Sequence, residues 1–230
     1  ASRNIEFGLR GKFATDHLPG MFSWSASAYR TDAGRDIQLL ATQINGFGFF
    51  SNTGTTRHQG ADAHLGYHDG RWRIDAGYSW LDATFLGAET ISSNSPAANA
   101  QGLISVRPGD RLPLNPEHRF TLSADFAVTS AWSVGADVRA QSGQYLAGDE
   151  SNQEQQLPGY GRLDVRTSWR VDPRLELFGE IENLLDQRTY TYGAFAQLAG
   201  LPQNFDLTDP RTYSPAPGRL FFAGVRAQLD

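Results

Sequence analysis

His64 and His68 stand on one face of an alternating stretch, the kind of pair that can hold a metal ion. Four strand residues separate them, about 13 Å, which no single ion spans. Asp62 and His64 are nearer, yet no further ligand type stands beside them. His17 reads as a turn residue, and His58 and His118 as residues at the start of strands. The run Asp149-Glu150-Ser151-Asn152 offers oxygen ligands suited to Ca²⁺, but it lacks the spacing of a calcium loop and reads as a solvated loop. Arg162, Arg166 and Arg170 alternate opposite Glu176, Glu180 and Glu182, so adjacent strands would set opposite charges about 5 Å apart. That is a charge ladder on a wall, because acid–base catalysis needs close carboxylates without interleaved arginines. No Gly-x-Ser-x-Gly, Walker or zinc spacing occurs. The sequence thus argues against an enzyme and calls for no cofactor and no metal site.

What remains is recognition chemistry. Phe47, Phe49, Arg107, Arg111, Tyr145, Arg188, Tyr190, Tyr192 and Arg211 fall in or beside long polar connections, accompanied by Phe50, Phe195 and Phe205. Aromatic rings and guanidinium groups together suit a bulky anionic chelate; they equally suit packing of loop against loop.

These residues need a scaffold, and period two supplies it. Ile5, Phe7, Leu9 and Phe13 alternate with Glu6, Gly8, Arg10 and Lys12. Phe22, Trp24, Ala26 and Ala28 follow, then a third strand from about Phe50 to Tyr67 and the two-residue turn Asp69-Gly70. In the fourth, Trp72, Ile74, Ala76, Tyr78 and Trp80 oppose Arg73, Asp75, Gly77 and Ser79. Further strands centre on Leu122, Ala136, Val165, Leu177 and Ala223, nine in all.

Tight turns alternate with long polar loops, about 87–115, 147–158 and 194–217. Outer-membrane barrels show that asymmetry, with short periplasmic turns and long outer loops. Every Trp falls on the apolar face, and Trp24, Trp72, Trp132 and Trp169 all lie near a tight turn. Trp80 lies eight residues beyond Trp72, a rise of about 20 Å on a tilted strand, near the height of an apolar band between two aromatic girdles.

Composition agrees. Charged residues are 20% of the chain, apolar ones 40%, and net charge is −5, which is not the basic excess of a nucleic-acid binder. The 24 Gly and 14 Phe against one Met and no Cys suit an all-β chain with many turns. No apolar run is long enough for a membrane helix, which says nothing of a barrel. The chain opens Ala1-Ser2-Arg3-Asn4 and ends Gln228-Leu229-Asp230, and reads as starting at an interior cut.

The segment Glu182-Asn183-Leu184-Leu185-Asp186-Gln187-Arg188-Thr189-Tyr190-Thr191-Tyr192-Gly193, with Pro217-Gly218-Arg219-Leu220-Phe221-Phe222 after it, resembles the C-terminal end of TonB-dependent outer-membrane receptors. Tyr29-Arg30-Thr31-Asp32, Asn52-Thr53-Gly54 through Gly60, and Leu114-Asn115-Pro116-Glu117-His118-Arg119-Phe120 resemble further strands of that family, in its order. The terminal aromatic residue usual there is absent, as are plug domain and TonB box. The resemblance implies that residues 1–230 are the C-terminal part of a barrel of about 22 strands. It implies an active-transport receptor in the bacterial outer membrane, a ferric siderophore or similar metal chelate as ligand, and TonB-ExbB-ExbD as partners through the missing N-terminal part. Outer-membrane lipid and lipopolysaccharide would surround it, and no nucleic acid is expected. A passive porin, a small outer-membrane barrel and a soluble β-domain are the alternatives.

Overall fold

The computed structural model describes residues 2–41, 48–196 and 209–228. Among these residues nine strands form one antiparallel meander: β1 (Ser2–Phe13), β2 (Met21–Ala41), β3 (Gly48–His68), β4 (Trp72–Phe85), β7 (His118–Ala127), β8 (Trp132–Gln141), β9 (Tyr160–Asp172), β10 (Leu175–Glu182) and β13 (Leu220–Ala227), each paired with the next in that order. Two further hairpins form within or beside the long loops. β5 (Glu89–Ser92) pairs with β6 (Leu103–Val106), and β11 (Tyr190–Phe195) with β12 (Arg211–Pro215).

The register carries the alternation across the whole sheet. Leu9, Ala26, Ala63, Tyr78, Phe120 and Ala140 form one transverse row. The next row is Gly8, Ser27, Asp62, Ser79, Arg119 and Gln141. Period two therefore gives one apolar and one polar face to the entire sheet.

The apolar face is bare. Phe7 is 68% exposed, Phe221 69% and Trp169 54%, whereas Phe85, at the loop end of β4, is 0% exposed. A protein folded for water turns such rows inward. Here the packed apolar cores among the described residues lie in the loops. At the tight-turn end the outward aromatics meet as a row: Phe13 stacks on Phe22 at 5.0 Å, while Phe22 meets Tyr67 at 4.7 Å and Trp72 meets Phe126 at 4.6 Å with tilted rings. Trp132 lies directly opposite Trp169. These rings form the lower girdle expected of a membrane barrel.

Side chains close the tight turns. Asp69 Oδ1 accepts the N–H groups of Arg71 at 2.7 Å and Trp72 at 2.5 Å, Thr129 Oγ1 accepts that of Trp132 at 3.0 Å, and Asp172 Oδ1 that of Arg174 at 2.8 Å. Short polar side chains that reach backbone donors two or three residues ahead fix such turns. The Trp72 and Arg71 N–H bonds hold the Asp69 carboxyl below its usual range.

Candidate ligand-binding face

The three long connections gather at the other end of the sheet and fold over its polar face. In the 86–117 connection the hairpin β5–β6 alternates, and Ile91, Ile104 and Val106 pack with Leu112 against Ala83 and Phe85 of β4. By register Ala83 and Phe85 continue the polar-face positions Arg73 to Leu81, so this hairpin lies over the inner wall. Glu89 seals the seam, accepting the Gly54 N–H of β3. The second core joins Leu146 and Leu157 of the 142–159 connection to Phe195 of β11.

Polar contacts bind the connections to one another. Ser93 Oγ donates to the Gly148 carbonyl. The Ala147 N–H donates to Gly193 O at 2.9 Å, and the Phe195 N–H to Ala147 O at 3.0 Å. Asn152 accepts the Arg111 N–H at 2.5 Å and donates to the Arg111 carbonyl at 2.9 Å. A buried core with paired backbone groups makes these loops one cap.

The cap sorts the expected contact residues. The Arg111 guanidinium is held by Glu117 at 2.7 Å and the Leu81 carbonyl at 3.0 Å. Trp80 Nε1–H donates to the same Glu117 at 3.2 Å, and that bond, with Arg111 beside it, keeps the Glu117 carboxyl below its usual range. Arg211 reaches Glu154 at 2.9 Å and Asp209 at 3.2 Å, and lies 6.0 Å over the Phe195 ring. Tyr145 is half-buried, its carbonyl accepting the Leu114 N–H at 3.0 Å. In contrast, Arg107, Arg188, Tyr190 and Tyr192 leave their side chains exposed. Tyr190 packs on Tyr213 at 5.0 Å between ring centres. Phe49 lies on β3 opposite Leu40, while Phe47 and Phe205 lie outside the described residues.

The acidic loop is built as a packing node. Asp149 is fully buried, its two oxygens accepting the N–H groups of Gln153 and Glu154 at 3.0 Å each. Burial nonetheless pushes its carboxyl up, against those two donors. Among the described residues no group of three or more His, Asp or Glu converges to hold a metal ion.

Below the cap the inner wall is charged. Arg162 bridges Asp164 and Glu182, each at 2.6 Å. Arg166 lies opposite Glu180 in the register, as the charge ladder requires, but its guanidinium turns the other way, to Asp137 and to Asp125 at 2.6 Å. Gly135 permits this: a Cβ there would meet Asp125 Oδ1 at 2.5 Å and Arg166 Nε at 2.8 Å. The strand alternation does not encode that reach across β8. Towards β1 the wall opens into a trough of about 560 Å³ whose polar lining includes Arg10, Ser27, Asp62, His64 and Thr121.

The segment after β10 closes on itself and on β9. Asn183 and Asp186 both take left-handed conformations, φ 51° each, which short polar side chains tolerate. Asn183 accepts the Gln187 N–H at 3.0 Å and donates back to the Gln187 carbonyl at 3.0 Å. Its own N–H donates to Asp164 of β9 at 2.7 Å.

Residues 1–184 match the protein family described as TonB dependent receptor-like, beta-barrel. The chain belongs to that family. TonB-dependent receptor barrels are outer-membrane proteins, and the bare apolar face with its aromatic girdle is the surface such a membrane covers. The probable TonB-dependent siderophore receptor PiuA of Acinetobacter baumannii is 28% identical over 192 residues, covering 83% of this chain and 24% of that protein. The catecholate siderophore receptor Fiu of Escherichia coli K12 is 24% identical over 189 residues, covering 80% of this chain and 22% of that protein. The chain thus spans about a quarter of the length of these curated relatives. The crystal structure of PiuA superposes with a TM-score of 0.71 at 22% identity, over 98% of this chain and 28% of that one. That of the ferric-catecholate import receptor Fiu, in its closed form, gives 0.61 at 21% identity, over 90% and 26%.

Proposed function

We propose that residues 1–230 are the C-terminal part of the barrel of a TonB-dependent active-transport receptor that takes up ferric siderophores. The observation that carries this reading is the inversion of the fold. A bare apolar face edged by a row of aromatics suits lipid, and the loop cap folded onto the opposite, charged face suits a closed ligand mouth. The siderophore class is supported by the names of the curated relatives that match over four-fifths of the chain.

In this reading Arg107, Arg188, Tyr190 and Tyr192, with Phe47 and Phe49, meet the chelate, since rings and guanidinium groups attract a bulky anion. Arg111, Tyr145 and Arg211 hold the cap in shape beneath them. Transport runs through TonB-ExbB-ExbD, the protein performs no covalent chemistry, and lipopolysaccharide surrounds the upper rim.

The test is growth. The complete gene product is expressed in an iron-starved bacterium lacking its own siderophore receptors but retaining TonB, and single ferric chelates are supplied. Growth and radiolabelled iron uptake on at least one chelate, abolished when TonB is deleted, is the expected result. Uptake that persists without TonB, or none from any siderophore class, overturns the proposal.

A further inference from the structure

Among the described residues two buried side-chain oxygens lack a hydrogen-bond partner, Glu150 Oε2 and Ser151 Oγ, and they are neighbours in the 142–159 connection. Glu150 is 6% exposed and Ser151 7%. The other Glu150 oxygen accepts the Gly148 N–H at 3.2 Å. Gly148 is where three connections meet. Its carbonyl accepts Ser93 Oγ–H from the first, and a Cβ on it would meet Phe195 of the third at 3.4 Å. Its φ of 95° also favours glycine.

An ionised carboxylate at this place would be a buried charge held only by the Gly148 N–H and its own backbone N–H, with one oxygen unpartnered. The charged groups on the elements packed there do not help. Asp149 and Asp110 are themselves acids. Glu154 and Asp209 occupy Arg211 of β12, and Glu117 with the Leu81 carbonyl occupies Arg111. A buried acid without a counter-charge stays neutral, keeping its proton.

We propose that Glu150 is a proton-operated latch of the loop cap: protonated, it stays packed under Gly148 and the three connections hold together; ionised, it leaves for water and loosens their join. The inference rests on the packing of the cap, not on the chelate carried. Burial pushes the Glu150 carboxyl above its ordinary 4.5, and Asp149 pushes the same way. A folded-state value raised in this way gives stability that is full below 4.5 and lost as pH rises through the raised value. The cap therefore tightens in acid and loosens towards alkali.

The experiment is hydrogen–deuterium exchange on the membrane-embedded protein at pH 5 and pH 8.5, wild type against Glu150→Gln, which is neutral at both. At pH 5 amides 146–154 and 193–196 should be equally protected in the two proteins. At pH 8.5 the wild type should exchange there about tenfold faster than the variant, while β7 and β8 stay matched. A wild-type to variant ratio that is the same at both pH values overturns the latch. Should Glu150→Gln fail to assemble, the wild type alone decides. Its protection factors, corrected for intrinsic exchange, must fall with pH in the cap and not in the sheet; an equal change in both overturns the proposal.

Discussion

Asp186 Oδ1 accepts the backbone N–H of Arg219 at 2.9 Å, across 33 residues of sequence. One carboxylate thereby joins the turn after β10 to the segment that starts β13, and the Asn183 side chain adds a bond to the Pro217 carbonyl at 3.4 Å. The two halves of the C-terminal signature meet here, and each completes the other's backbone bonding at the sheet's upper rim.

Replacing Asp186 by Ala removes the acceptor and leaves Ala in a left-handed conformation, φ 51°. Together these should cost about 2 kcal/mol. Asp186→Asn keeps an acceptor and tolerates that conformation, so it should cost about a quarter as much. The temperature at which the folded barrel band is lost on electrophoresis compares them. Equal loss in both variants would show that the Arg219 bond plays no part.

Ala136 lies on the apolar face between Ala124 and Val165, four residues above Trp132. Ala136→Arg should cost roughly 2–4 kcal/mol, as a cation near the bilayer midplane does. Its neighbour Asp137 faces the inner wall, and Arg166 retains Asp125 at 2.6 Å when Asp137 becomes Asn. That change should cost about 1 kcal/mol or less. Refolding into lipid vesicles measures both, and a costlier Asp137→Asn would reverse the two faces.

Much of this was legible in the sequence because a barrel strand repeats every two residues, and Trp72 to Trp80 or Phe120 to Phe126 declare their face without any tertiary knowledge. The cap was not. Ile91, Ile104 and Val106 sit in two short strands, four residues each, within a polar stretch. Their partner Phe85 looks like one more strand residue until the loop folds back over it. Glu150 is likewise drawn from a run that reads as a solvated acidic loop, yet in the fold it is 6% exposed. Arg166 shows the same limit on the wall, since its choice of Asp125 over Glu180 depends on Gly135 of the intervening strand.

Phe85→Ala empties the centre of the first cap core, and such truncations cost about 3–5 kcal/mol. The loss should stay in the cap, because β3, β4 and β7 keep their own ladders. Protease added to the embedded variant should cut residues 86–117 while β4 and β7 remain intact. Wholesale digestion would mean that the cap core supports the sheet as well.

The ends of the sheet can be told apart chemically, since the chain contains no cysteine. Gln101 is exposed in the turn of the β5–β6 hairpin and Ser130 in the tight turn before β8. On intact cells a membrane-impermeant maleimide should label Gln101→Cys at once and Ser130→Cys only after lysis. The opposite order would turn the protein over in the membrane.

The last expectation concerns the 230 residues in water. Among the described residues β1 and β13 are the margins of the sheet, and each pairs there on one side only. Ile5 and Phe7 of β1 are 58% and 68% exposed, and Phe221 and Val225 of β13 are 69% and 61%. An unpaired strand margin carrying such side chains is a template for association, and in lipid each unsatisfied backbone group costs several kcal/mol. The apolar face adds a patch far larger than the few hundred Å² a monomer tolerates. The polypeptide expressed alone should aggregate without detergent and bind no ferric chelate, because β1 and β13 lack the further strands that would shut the wall around a ligand. Sedimentation and light scattering read the outcome. A monodisperse monomer that melts cooperatively in plain buffer would mean that the apolar face is buried in solution, and the outward orientation of Trp72, Trp132 and Trp169 would fall with it.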